Sequence, residues 1–400
     1  MRIIVHDFSG HPFQAELARA LSRREHTVLH VQCASYASGK GSFEGEEGER
    51  LAYTSISVGE VFERYSTARR LVHEVRYALA FTRLAKEFRP DLVISCNDPL
   101  IAKAGFGMWA SVRRVPWVFW LQDIYSIAMA REAARRSRAG QVVGRVLYRI
   151  ERGLLRSSDA VVAITEDFGP TLDSWRIPAG KRTVIENWAP LEEVSPRPRE
   201  NAWRDEAGIG ERFVFLYAGT LGLKHNPDVL HELAMAEPDA EVVVVSEGLG
   251  AERLRARLQD QPAPNLRILP FQRWEALPDV LGAADVLLVL LEPEAGAFSV
   301  PSKILTSLCA GRPILAAIPR ANLGARTIEA AGAGIVVAPG EPMDFLAAAR
   351  NLREDDEMRA RMGTAARAHA ESAFDIETIT DRFVRVLDDA RAKGGKRALV

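Results

Sequence analysis

Residues 213–227, FVFLYAGTLGLKHNP, decide the fold. The stretch opens with six apolar residues in a row, Phe213 to Ala218, with no polar residue alternating among them. Such a run predicts a strand covered on both faces, as strands of a parallel sheet are. It leads into a Gly-x-x-Gly turn, Gly219, Thr220, Leu221 and Gly222, followed by Lys224. Further on, residues 297–314, AFSVPSKILTSLCAGRPI, form a turn rich in small residues that opens a helix, carries Lys303 and closes at Gly311. Both stretches combine backbone N–H groups at a helix start with a lysine, the parts needed to hold a diphosphate. Two such devices about 80 residues apart point to a nucleotide-linked substrate.

Working outward, the second half repeats this scheme. Apolar runs at 240–246, 266–271, 285–291, 313–318 and 334–339 predict strands, with helices at 227–236, 250–258, 275–283, 302–310, 342–352 and 356–373. The first half alternates in the same way. Strands are expected at 2–8, near 27–34, and at 91–96, 117–123 and 160–165, with 184–190 closing the half. A long helix is expected over 60–88, and a Gly-, Ser- and Glu-rich loop over 38–49. Short apolar strands separated by helices imply α/β architecture with parallel sheets covered on both faces. Residues 191–205, LEEVSPRPRENAWRD, form the one Pro- and charge-rich break long enough to be a linker. Two doubly wound Rossmann-like domains are therefore expected, over 1–195 and 196–375, with a C-terminal helix and basic tail over 376–400. Ligands of such sheets sit at the carboxyl ends of the strands. With two domains facing each other, the cleft between them is the expected site.

Bulk properties limit the alternatives. The chain has 400 residues, 47% hydrophobic and 26% charged, too long for one ordinary core and typical of a globular protein. Its 52 Lys and Arg nearly balance 53 Asp and Glu, which gives no bias toward nucleic acid. Three cysteines, Cys33, Cys96 and Cys309, suit neither a metal site nor a disulfide framework, so a reducing cytoplasm is expected. The opening apolar run is too short for a signal peptide, and no stretch of about 18 apolar residues occurs. Any membrane association would be peripheral, on the inner face of the cytoplasmic membrane. Residues 131–158 are the candidate for it. They hold eight arginines against Glu132 and Glu151, with Val142, Val143, Val146, Leu147, Ile150, Leu154 and Leu155 at roughly helical spacing. A solvated helix with one core face is the alternative.

Taken together, the GTLGLKHNP turn, the block LPFQRWEALPDVLGAADVLLVLL and the PSK…AGRPI helix resemble family 4 glycosyltransferases of the GT-B fold. The start, VHDFSGHPFQAELARALSRREHTVLHVQCAS, is similar to the branch that includes WbuB- and WcaI-like enzymes of O-antigen and exopolysaccharide assembly. The resemblance spans essentially the whole chain. It implies two Rossmann-like domains, with a nucleotide sugar held mainly by the second. It implies retaining transfer with no metal and no cofactor beyond the nucleotide-sugar substrate. The donor is expected to be UDP-linked. The expected acceptor is a saccharide, carried on a polyprenyl diphosphate.

The resemblance also assigns residues. Gly219 and Gly222 flank the first phosphate turn around Thr220, and Lys224 stands where relatives place a basic contact to the diphosphate. Lys303 opens the second device. Ser299 or Ser302 is a candidate cap for its helix, and free N–H groups from Ala297 through Phe298 to Ser299 are candidates to meet the donor. Phe271, Gln272 and Arg273 follow a strand where relatives bind the base, and Glu247 with Gly248 forms another strand-end turn near the nucleotide. One departure matters. Many relatives carry Glu-x7-Glu in the last motif, where this chain has Phe298 and Thr306. Ribose recognition is left unassigned, with Glu292 and Glu294 just upstream as candidates. In the first domain, Gly10 and His11 lie in the turn after strand 1. Asp98, Asp123 and Glu166 end later strands at the same edge. Asp123 is the preferred group to position or deprotonate the acceptor hydroxyl, a helix cap being its alternative role.

Rival readings are weaker. A dehydrogenase would need Gly-x-Gly-x-x-Gly after strand 1, where the chain has SGHPF. A non-hydrolysing nucleotide-sugar epimerase would want more cleft histidines and carboxylates than His225, His231 and His369 supply in the second domain. A catalytically degenerate scaffold is favoured by the missing Glu pair and opposed by Lys224, Lys303 and the intact turns.

Overall fold

The apolar runs fold into two parallel sheets, each in its own unit: Met1–Glu186 with Ile376–Val400, and Asn187–Asp375. The structure, a computed structural model, describes residues 1–35, 50–59, 67–127, 129, 138–222, 225–296 and 299–397. The expected loop at 38–49 lies outside them, as does the start of the helix expected over 60–88. What is described of that helix spans Thr67–Phe88.

In the first unit the strands are β1 (Arg2–Asp7), β2 (Thr27–Cys33), β3 (Leu51–Ile56), β4 (Leu92–Cys96), β5 (Trp117–Leu121), β6 (Ala160–Ala163) and β7 (Arg182–Val184). Their order is β3-β2-β1-β4-β5-β6-β7. β4 and β5 are buried along their whole length, because helices cover both faces. The chain order reverses between β1 and β4, and that reversal opens a crevice at the strand ends. The second unit holds β8 (Phe213–Ala218), β9 (Ala240–Val245), β10 (Leu266–Leu269), β11 (Val286–Leu290), β12 (Ile314–Ala317) and β13 (Gly334–Val337), in the order β10-β9-β8-β11-β12-β13. Here the reversal falls between β8 and β11, at the end of the strand that carries the first phosphate turn.

Three elements differ from expectation. β3 and the helices Leu100–Arg113 and Leu323–Ala331 are regular elements that the pattern of the chain did not announce. Residues 191–205 are folded into the second unit and do not form a bare linker, so the division falls at Glu186 and Asn187, not at 195. Val194 is buried there, and Asn201 caps the short helix Ala202–Glu206 by accepting from Arg204 N. The Arg204 guanidinium is buried as well, and it donates to the carbonyls of Gly210 (2.8 Å) and Ala283 (2.6 Å). Charge and proline in this stretch therefore mark a tight cross-link, because each donor finds a backbone acceptor. The last helix, Ile376–Arg397, returns to the first unit. Phe383 packs edge-on against Trp120 of β5, with ring centroids 4.7 Å apart, and Arg24 binds Glu377 and Asp381. Cys33, Cys96 and Cys309 are all buried.

Candidate active site

In the second unit the two phosphate devices meet. Gly219 follows β8 with φ +124°, a region that L side chains rarely enter. A methyl group there would lie 3.5 Å from Lys303 Cε and 3.8 Å from its Nζ. The lysine of the later motif thus stands directly beside the first glycine of the earlier one. Its Nζ lies 3.7 Å over the Tyr217 ring and donates to the Tyr217 hydroxyl, which in turn donates to Thr220 O at 3.0 Å. Burial pushes the Tyr217 phenol well above its ordinary 10.0, so it stays neutral and serves as a fixed post for the lysine.

The turn itself is tied down by backbone bonds. Gly219 N donates to Val245 O (3.0 Å), Leu221 N to Glu247 O (3.3 Å) and Gly250 N to Leu221 O (2.8 Å). The loops after β8 and β9 are therefore tied to each other. Gly248, at φ +108°, opens the helix Leu249–Asp260. Gly222 N donates to His225 Nδ1 at 3.0 Å, which closes the turn from its far side. Thr220 and the Glu247 side chain remain exposed at this edge.

Other expected contacts stand differently. Lys224, Ala297 and Phe298 lie outside the described residues. Ser302 occupies the cap position of the helix Lys303–Ala310 but makes no side-chain cap bond. The amide of Ser299 is also not free, because it donates to Ala295 O at 3.1 Å. Asn322 holds this loop instead, donating to Gly296 O (2.9 Å) and Ser299 O (2.8 Å). Thr306 bonds back to Lys303 O at 3.0 Å. Gln272 has its side chain engaged within the fold, accepting from Trp203 Nε1 (3.2 Å) and donating to Pro270 O (2.9 Å). Phe271 is half-buried and Arg273 exposed. Glu292 is half-buried. Burial raises its pKa, and Glu294 adds to this against the pull of Arg253.

In the first unit the edge at β1 and β4 gathers a second polar cluster. Gly10 has φ +76°, which turns the chain so that His11 N donates to the Asp7 carboxylate. His11 Nδ1 lies 3.4 Å from Asp7 Oδ1, and the ring is 29% exposed. Burial works to lower the His11 pKa, yet Asp7, with Asp123 behind it, outweighs burial and raises it. Asp123, after β5, thus acts on His11 through its charge. Its alternative role as a cap is filled by another residue: the amides of Tyr125 and Ser126 bond to Glu151, at 3.0 and 2.9 Å.

Asp98 requires a correction. It is fully buried and faces inward, 3.3 Å from His6 Nδ1 and 3.6 Å from Lys103 Nζ, and it accepts from Ser95. Burial raises its pKa to about 7 against the opposing pull of Lys103 and Ser95. A carboxylate in that setting braces the sheet edge and offers nothing to an acceptor. Glu166 is exposed on a single turn capped by Thr165, apart from the His11 cluster's hydrogen bonds. Tyr217, Asn97, Tyr125 and Glu151 also belong to these clusters, and no motif of the sequence marks them. Each sits within or beside an apolar run, and only the folded partner reveals its polar end.

The chain matches two family models: the glycosyl transferase 4-like domain over residues 11–188, and glycosyl transferases group 1 over residues 199–369. The chain belongs to the family 4 glycosyltransferases. This glycosyltransferase is 24% identical over 328 residues, 80% of each chain, to WcaI of Escherichia coli (strain K12), named as a glycosyl transferase of colanic acid biosynthesis. It is 27% identical over 267 residues, 64% of each chain, to WbjE of Pseudomonas aeruginosa, named as a glycosyltransferase. Its GT-B fold matches the crystal structure of HepE from Anabaena in complex with UDP-glucose, at a TM-score of 0.70 and 19% identity, covering 97% of this glycosyltransferase and 99% of HepE. The fold class expected from the sequence, with two Rossmann-like units, is therefore the observed one.

Proposed function

We propose that this glycosyltransferase moves a sugar from a UDP-linked donor to a lipid-linked or saccharide acceptor in surface polysaccharide assembly. The transfer retains the configuration of the anomeric carbon and needs no metal. The observation that carries this reading is Lys303 set against Gly219, which brings the lysine of the later motif to the first glycine turn at the switch point of the second sheet. A departing nucleoside diphosphate gains negative charge in the transition state, and a cation already fixed on Tyr217 stabilises it without reorganising. Lys224, which follows Gly222 by two positions in the sequence, is the second cation of this reading. The neighbour HepE is seen in complex with UDP-glucose on the same fold, which supports the donor, and WcaI is named for colanic acid biosynthesis, which supports the pathway class.

In the first unit, Asp123 accepts the proton of the acceptor hydroxyl, and His11, held toward its protonated form by Asp7, meets a phosphate of donor or acceptor. No enzyme nucleophile is required if the leaving phosphate assists the incoming hydroxyl. Peripheral contact with anionic lipid is supported by the helix Arg138–Ser157. Its inner face buries Leu147, Leu154 and Leu155, yet Val142 (55%), Val143 (44%) and Val146 (47%) are exposed beside Arg145 and Arg149. A helix that is merely solvated would leave its outer face polar. The helix Thr67–Phe88 likewise exposes Leu71, Val72, Val75 and Leu79. Among the described residues no helix is long and apolar enough to cross a membrane.

The test is thermal stability against UDP, GDP, dTDP and ADP without added metal. Selective stabilisation by UDP is expected. A correctly folded chain that none of the four stabilises would defeat the donor assignment.

A further inference from the structure

His11 is held by more than Asp7. A chain of hydrogen bonds reaches it from a surface helix on the far side of the β5 loop. Glu151 lies on the inner face of the helix Arg138–Ser157 and is fully buried. Its two oxygens accept from the amides of Tyr125 and Ser126, which fixes the turn that follows Asp123. From that turn the Tyr125 hydroxyl donates to Asn97 Oδ1 at 3.1 Å. With its oxygen engaged, the Asn97 amide presents its nitrogen to His11, 3.3 Å from Nδ1 and 3.4 Å from Nε2. Asn97 does this from a left-handed backbone, φ 48°, at the end of β4. Asparagine tolerates that conformation better than most residues, and a non-glycine residue held there commonly serves a site.

We propose that Glu151, Tyr125 and Asn97 are positioning residues, a relay that fixes the orientation and protonation of the His11 imidazole. The relay rests on the reading of His11 as a substrate contact. Its physical effect is a balance. Asp7 from β1 and Asp123 from the end of β5 favour the imidazolium, while the Asn97 N–H, a donor, opposes it. Tyr125 keeps that donor facing the ring. Without the Tyr125 hydroxyl the amide is free to turn its oxygen to His11. Glu151 keeps Tyr125 in reach, so a helix with an exposed outer face sets the geometry of the sheet edge.

The experiment is the pH titration of the histidine ring signals of the full chain by proton–carbon NMR. The His11 signal is identified by its absence in His11→Gln. Tyr125→Phe removes one hydroxyl, and Asn97→Gly removes the amide while suiting the left-handed backbone. Both are expected to raise the His11 midpoint by about half a pH unit or more, with Glu151→Gln giving a smaller rise in the same direction. A purely structural role would lower the melting temperature and leave the midpoint where it was. Midpoints unmoved in both Tyr125→Phe and Asn97→Gly overturn the relay. If Asn97→Gly does not fold, Tyr125→Phe decides alone. A separate result addresses the reading beneath it: sugar transfer by His11→Gln at the wild-type rate would remove the function of His11 while the midpoints still report on the relay.

Discussion

At the scale of the residue, lysine 303 shows how one side chain acquires a role from its neighbours. A lysine at a helix start is ordinarily solvated, but here its ammonium rests on an aromatic face and donates to a buried phenol. Lys303→Ala should leave the fold intact and lower turnover by about 100-fold, the usual cost of removing one preorganised charge-stabilising group. It should also abolish the thermal stabilisation by nucleotide. Full turnover in the variant would end the phosphate assignment. Asp98 makes the contrasting case, a carboxyl whose work is internal. Its pKa is about 7 in the folded chain against an ordinary 3.8. Between those values the folded chain binds more protons than the unfolded one, so this group makes stability fall as pH rises through the window and level off above it. Urea midpoints measured across that range should fall less steeply in Asp98→Asn than in the natural chain. Parallel slopes would show that Asp98 does not titrate in this way.

At the scale of the element, two helices carry consequences that their sequences only half display. The helix Arg138–Ser157 was legible as basic and amphipathic, but which of its apolar residues face outward depends on what covers the rest. Leu147, Leu154 and Leu155 are taken by the core, and the three valines are not. Replacing Arg145 and Arg149 with Gln should weaken sedimentation with anionic vesicles at low salt, because surface attraction to lipid headgroups is screened within about 10 Å at 0.1 M salt. Binding that ignores both salt and substitution would remove the membrane contact. The helix Ile376–Arg397 reads in the sequence as a C-terminal helix ending in a basic tail. Its anchor is Phe383, fully buried against Trp120. Phe383→Ala should cost about 3–5 kcal/mol of stability, measured by urea unfolding, since it empties an aromatic site in a packed core. A loss below about 1 kcal/mol would mean the helix is not part of that core.

At the scale of the whole molecule, both sheets place their polar clusters where the chain order reverses: β1 and β4 in one unit, β8 and β11 in the other. That is where adjacent loops diverge to opposite faces and leave room for a ligand. Much of this could be read from the chain. Short apolar runs marked many of the strands, because a strand buried on both faces carries mostly apolar side chains. The glycines of the phosphate turn were legible for a similar reason: φ +124° at Gly219 excludes most alternatives. β3, LAYTSI, was not, since it is the edge strand and only its two end residues are buried.

What the sequence determined by itself is local and periodic: the parallel α/β class, the two phosphate turns and the family they resemble. These depend on spacing along the chain, which a single strand of text preserves. What only the tertiary structure decided is which polar groups meet. Lys303 and Gly219 are far apart in sequence and in contact in space, as are His11 and Asn97. Asp98 and Asp123 end neighbouring strands with similar surroundings in the sequence, yet one is enclosed by Lys103, His6 and Ser95 and the other is freed from capping by Glu151. The physical reason is that burial and hydrogen-bond partnership are properties of three-dimensional neighbours. The same carboxyl is a brace or a base according to what the fold packs around it.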